Sequence, residues 1–223
     1  MIEWTPKDPD MSAPAQIYAT TTHEVMNQSG PFVGVNVFAC DRILNVAVTR
    51  EGAGWVAGRA SALGAAAGEA EWQEHAHLAN KHEPVLKSHD RFGHRIDAVE
   101  FHPGYHALMG LAFGSGVHSL AWTANQPGAR AARAALSYLW NQIENGVGCP
   151  TGMAYSSIPS LRRVTAIRDH WEDKVLAEGY DARPIPVAEK SAATIGMALT
   201  EKQGGSDLRA NATRAARSGR PIS

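Results

Sequence analysis

The sequence predicts a mainly α-helical domain that runs into one strand-like segment and a glycine-rich loop near the C-terminus. Three observations carry this. Apolar residues recur at helical spacing in several separate windows between Asp41 and Ala177. Alanine-rich stretches with few β-branched runs favour helix over strand. Only one apolar run, Ala192 to Met197, has the length and the bounding residues of a buried strand.

Met1 to Pro14 carries Glu3, Lys7, Asp8 and Asp10 among three prolines, without a continuous apolar stretch. It has no features of a targeting sequence, and residues 1–40 are expected to form a flexible arm. Asp41 then caps a short helix with Ile43, Leu44, Ala47 and Val48 as its apolar stripe, which Gly52 ends. Val56 to about Asn80 predicts one longer helix, with Ala60, Leu63, Ala67 and Ala70 at helical spacing and small residues that allow close approach of a neighbour. Leu86 to Asp90 and Ile96 to Phe101 flank the turn-like Arg91-Phe92-Gly93-His94, as in a small hairpin. Pro103 suits a first helical turn, with Ala107, Leu108, Leu111 and Ala112 following it. Gly114-Ser115-Gly116 breaks that helix, and Val117 to Thr123 forms a short further piece.

The clearest helix lies between Pro127 and Gly146. Leu136, Leu139, Trp140 and Ile143 fall on one face, with Arg130, Arg133, Asn141 and Glu144 on the others. Helices over Met153 to Ser160 and Val164 to Ala177 follow, before Gly179, Pro184 and Pro186 stop the pattern. The expected organisation is an arm over 1–40, a helical domain over 41–180, a linker over 181–190 and the start of a second domain over 191–223.

At 223 residues the chain can bury a sizeable core, and its formal charge of -1 gives no global attraction to nucleic acid or acidic lipid. No segment approaches the roughly 20 apolar residues that cross a bilayer, so no membrane association is expected. Two cysteines, Cys40 and Cys149, are too few for a disulfide framework, and reduced thiols in a cytoplasmic protein are the simplest expectation. Eight of the ten histidines lie between His75 and His118. Their spacing lacks a ligand pattern: His102 and His106 straddle a helix start, and His75 and His77 diverge on a helix, so no metal site is expected. Glu51-Gly52-Ala53-Gly54 lacks the strand-to-helix context of a dinucleotide fingerprint. Arg209, Arg214, Arg217 and Arg220 form a basic tail better read as exposed surface than as a nucleic-acid patch.

The loop after the strand-like run carries the most chemistry. A hydroxyl, a carboxylate, two adjacent glycines, a second hydroxyl and an aspartate follow one another. Glycine removes side chains and permits positive φ, so that successive N–H groups can converge on an anion with Ser206 as a further donor. An ordinary Gly-Gly turn has the same spacing.

Ala198-Leu199-Thr200-Glu201-Lys202-Gln203-Gly204-Gly205-Ser206-Asp207, with Ala210 three positions on, resembles the signature of the acyl-CoA dehydrogenase flavoproteins. Thr49 to Trp55, Phe101-His102-Pro103 and Val117 to Trp122 resemble the AidB-type adaptive-response branch of that family. The resemblance covers about Phe38 to about Arg217. It implies the family's N-terminal helical domain followed by the first strand and loop of a flavin-binding β-domain, the chain being an N-terminal portion. It further implies FAD as cofactor, contacted by Met197, Ala198, Leu199, Thr200, Glu201, Lys202, Gln203, Gly204, Gly205 and Ser206. Thr200 would face the isoalloxazine edge, and Gly204, Gly205 and Ser206 would lie under the pyrophosphate.

Acyl-CoA is the implied second ligand and a homo-oligomer the implied assembly. The family's carboxylate base belongs to the C-terminal part, so no catalytic residue is assigned here, and Glu201 is placed within the flavin loop. Two classes of function follow, an acyl-CoA dehydrogenase and a DNA-binding protective flavoprotein whose DNA-contacting region lies in the C-terminal domain.

Overall fold

The computed structural model describes residues 26–214, and within them the architecture is helical with one two-stranded hairpin. Residues 26–32 belong to a unit separate from residues 33–214 and are irregular and exposed. The expected arm otherwise lies outside the described residues up to residue 25, as do Arg217 and Arg220.

Helix α1 (Val37–Cys40) is capped by Asn36, whose Oδ1 accepts from the Phe38 and Ala39 amides at 3.1 Å each. Its amide nitrogen donates to the Ser61 carbonyl and hydroxyl at 3.0 Å. Val37 and Phe38 are buried, so the folded body begins before Asp41 and takes in the last residues of the expected arm. Helix α2 (Arg42–Arg50) starts where the Leu44 amide donates to Asp41 Oδ1 at 2.8 Å. It stops at Gly52, whose φ of +71° lets the Ala53 amide return to the Val48 carbonyl at 2.9 Å. The expected stripe is corrected at Ile43, which is 84% exposed, because the packed face runs through Leu44 and Val48.

The single helix expected from Val56 to Asn80 is instead two, α3 (Ala57–Ala67) and α4 (Ala70–Lys81), preceded by a 3-10 turn at Gly54–Val56. The break is tertiary in origin. A Cβ on Gly68 would stand 1.7 Å from the Val35 carbonyl oxygen, and the Gly68 carbonyl accepts the Gly34 amide at 2.8 Å, so the chain pivots where two backbones touch. The small residues of α3 act as expected: a Cβ on Gly64 would meet Phe38 at 2.6 Å.

Strands β1 (Val85–His89) and β2 (Arg95–Glu100) pair antiparallel around the expected turn, with Gly93 at φ +87° and a bulge between Lys87 and His89. Helix α5 (Pro103–Gly114) has Pro103 in its first turn, and His102 Nδ1 accepts the Gly104 amide at 3.0 Å. Helices α6 (Leu120–Thr123), α7 (Ala129–Trp140), α8 (Gly148–Leu161) and α9 (Thr165–Leu176) complete the bundle. Leu63, Leu108, Met109, Phe113, Leu136, Leu139, Trp140 and Ile158 fill its core.

Helix α7 ends at Trp140, before the last residues of the expected pattern, and this corrects the place of Glu144. Helical spacing puts the side chain on a solvated face, yet it is 7% exposed. Its carboxylate accepts the Gly146 amide at 2.8 Å, the Val147 amide and the Asn80 side-chain amide at 3.1 Å, so it satisfies free N–H groups at the start of α8. Pro159 inside α8 cannot donate to the Tyr155 carbonyl four residues back. Trp122 Nε1 donates to that carbonyl instead, at 2.9 Å.

The expected linker over 181–190 is an ordered strap. Asp181, its side chain 4% exposed, accepts from Arg183 at 2.7 Å and from the Ser191 amide at 3.0 Å. The Arg183 guanidinium, then the Ser191 amide, hold its carboxyl well below the usual carboxylate range. The strand expected over Ala192 to Leu199 does not form: the segment carries no ladder, and the one bridge nearby is Glu201 to Gly204. A strand exists only with a partner, and no neighbouring strand lies beside this segment among the described residues.

Candidate functional site

The ten residues singled out in the sequence sit on a loop anchored at its start. Ala192 and Ala193 are buried, and the Ala193 amide donates to the Lys174 carbonyl at 2.9 Å, fastening the chain to α9. Beyond that anchor Met197 and Leu199 are 53% and 52% exposed, and Ala198, Thr200, Lys202, Gln203, Gly205 and Ser206 are exposed as well. The Met197 amide lies 3.3 Å from Met153 Sδ on α8.

Glu201 and Gly204 close a tight turn by two backbone bonds, Glu201 N–H to Gly204 at 3.1 Å and Gly204 N–H to Glu201 at 3.2 Å. Directly after it, the amides of Gly205, Ser206 and Asp207 have no protein acceptor among the described residues. A Cβ on Gly204 would meet nothing within 4 Å, and one on Gly205 would meet only Thr200, at 3.2 Å. The structure therefore brings Thr200 against Gly205, and the three amides and the Ser206 hydroxyl belong to exposed residues. The positive φ that glycine permits is not used at Gly204 or Gly205, whereas Gly34, Gly52, Gly93, Gly116 and Gly128 use it. What glycine contributes at 204 and 205 is the absence of a side chain over the donors.

Consecutive free amides plus a hydroxyl are a donor set for phosphate oxygens, and the missing side chains give a diphosphate room to approach. The loop residues therefore suit a diphosphate group. Glu201 is held ionised, its carboxyl lowered to about 2 by the Thr213 hydroxyl first and then by the Ala212 and Thr213 amides.

Sequence reasoning missed a second polar centre inside the bundle. His118 is fully buried; its Nε2 donates to the Ala177 carbonyl at 3.1 Å, its ring stacks on Phe113 at 4.0 Å, and its Nδ1 has no partner. Arg133 donates to the Val117 carbonyl at 2.9 Å and lies over the Tyr155 ring at 4.1 Å. The Phe101-His102 segment opens a cleft of about 510 Å³ under the hairpin, in which His82 and His102 stack at 4.9 Å. The histidines do not converge: among the described residues no group of three ligand-type side chains could hold a metal ion. No helix among them is long and apolar enough to cross a membrane.

A family model described as the adaptive response protein AidB N-terminal domain matches residues 27–182. AidB of Escherichia coli (strain K12), an acyl-CoA dehydrogenase by assignment, is 41% identical over 198 residues, which cover 88% of this chain and 37% of that protein. The chain thus spans somewhat over a third of the length of this relative. Two solved structures share the fold at 22% identity. The apo form of Bd2924 superposes with a TM-score of 0.72 over 87% of this chain and 39% of its own. Caenorhabditis elegans ACDH-11, in complex with C11-CoA, gives 0.69 over 89% and 33%.

Proposed function

The chain belongs to the AidB family of acyl-CoA dehydrogenase-like proteins, by the match of the AidB N-terminal domain over 27–182, and on that premise we propose that it is the N-terminal part of an FAD-dependent flavoprotein acting on acyl-CoA. The observation that carries the cofactor reading is the run of unpartnered amides at Gly205, Ser206 and Asp207 beside two side-chain-free positions. In this reading those amides and the Ser206 hydroxyl hold the FAD pyrophosphate, while Met197 to Gln203 lead the chain to it. The exposed Thr200 hydroxyl then hydrogen-bonds the polar edge of the isoalloxazine. Bound FAD supplies a hydride acceptor, which no side chain can replace.

Acyl-CoA is proposed as substrate class because the related ACDH-11 structure holds C11-CoA. The helical body gives the loop its fixed base through Ala193 and α9. The assembly is proposed to be homo-oligomeric. A DNA-binding protective flavoprotein is not favoured, since no observation on this chain supports it and the DNA-contacting region that the resemblance implies belongs to the C-terminal domain.

Titration of FAD into the natural protein that carries this chain, followed by flavin fluorescence, tests the reading. Ser206→Ala should weaken binding by about 1.5 to 3 kcal/mol, the worth of a charge-assisted hydrogen bond. Gly205→Val should weaken it more, because its side chain must displace Thr200 and cover the donors. Wild-type affinity in both variants would mean that the loop is only a turn.

A further inference from the structure

Glu201 does not face outward from the loop as a free carboxylate. Its Oε1 accepts the Thr213 amide at 2.7 Å, its Oε2 accepts the Ala212 amide at 2.9 Å, and the Gln203 side-chain amide also donates to it. Two residues earlier, the Leu199 carbonyl accepts Asn211 Nδ2 at 2.7 Å. The backbone of Glu201 meanwhile closes the turn onto Gly204. One residue therefore shapes the loop twice, through its main chain on the near side and its side chain on the far side. The chain between these closures holds Gly205, Ser206 and Asp207, whose amides have no partner among the described residues.

We infer that Glu201 is a positioning residue, with Asn211 as its second pin, which holds residues 199–213 in the shape that presents the Gly205 to Asp207 amides to a diphosphate. The inference rests on the flavin reading of the loop. Two physical effects give it force. A loop that must order itself on binding loses affinity to the ordering, and a clasp present in the free protein removes that loss. The Glu201 carboxylate also finds its donors in Gln203, Ala212 and Thr213, so it does not compete with a diphosphate for the Gly205 to Asp207 amides. The Thr213 hydroxyl first, then the Ala212 and Thr213 amides, hold the Glu201 carboxyl below its ordinary value, which favours the charged form that the clasp uses.

Glu201→Ala, Glu201→Gln and Asn211→Ala, with Ser206→Ala as the contact control, are measured for FAD affinity and for hydrogen exchange at the Ala212 and Thr213 amides without FAD. Glu201→Ala is expected to speed exchange at those two amides and to raise the FAD Kd about tenfold or more, with the helical core's melting midpoint unchanged. Glu201→Gln, which keeps an acceptor oxygen without the charge, should recover part of both, and Asn211→Ala should follow Glu201→Ala more weakly. If Ser206→Ala loses affinity and Glu201→Ala does not, the positioning role is overturned and the flavin reading stands. If neither loses affinity while exchange still quickens in Glu201→Ala, the flavin reading falls and the inference with it.

Discussion

Acidification should destabilise this fold through His118, and the size of the effect follows from its surroundings. The ring is fully buried against Phe113, Nε2 donates to Ala177, and Nδ1 makes no hydrogen bond. Burial, ahead of the opposing effects of the Ala177 carbonyl, Glu178 and the Val175 carbonyl, lowers its pKa from 6.5 to about 4. Glu178 offers limited compensation because it is committed to Arg59 at 2.5 Å.

The unfolded chain therefore binds a proton near pH 6.5 that the folded protein refuses until pH 4. Stability is unaffected above 6.5, falls as pH drops through that window, and is reduced by the full amount below 4. The linkage comes to about 2 kcal/mol at pH 5 and about 3 kcal/mol in full. Urea unfolding of wild type and His118→Gln at pH 7.5 and pH 5 measures it. Wild type should lose about 2 kcal/mol more than the variant between the two pH values. Equal losses would refute the account of this centre.

Further outcomes follow from single contacts. Glu144→Ala should cost about 3 kcal/mol in chemical denaturation, because it leaves the Gly146 and Val147 amides and the Asn80 side chain without their acceptor. Gly128→Ala should cost more than Gly52→Ala in thermal melts although both residues have positive φ: the first Cβ would meet the Glu51 and Gly52 backbone at 2.6 to 2.7 Å, the second nothing. The Gly52 change should cost only the left-handed penalty, about 1 to 2 kcal/mol. Trp122→Phe should cost about 1 to 3 kcal/mol by stranding the Tyr155 carbonyl that Pro159 cannot serve.

Features with local causes were legible in the sequence. The Asp41 cap, Gly52 at positive φ, Pro103 in a first turn, the hairpin about Gly93 and the buried Leu136, Leu139 and Trp140 each depend on neighbours within a few positions. Features set at a distance were not legible. Helical periodicity runs through Gly68 unbroken, and only its contact with Val35 splits α3 from α4. Glu144 follows the rhythm of α7, but the helix ends first and the side chain turns inward to serve α8. The run from Ala192 to Leu199 has strand composition, yet a strand requires a partner that composition does not supply. In the loop, the side-chain-free positions at Gly204 and Gly205 could be read from the sequence. The clasp joining Glu201 to Thr213 could not, since nothing in the intervening residues announces it.

The visible absorbance spectrum of the purified natural protein tests the central claim most directly. A yellow protein whose flavin band is released as FAD on denaturation, and is lost or weakened in Gly205→Val, is the predicted result. A colourless protein that takes up no FAD on incubation and gel filtration would contradict it.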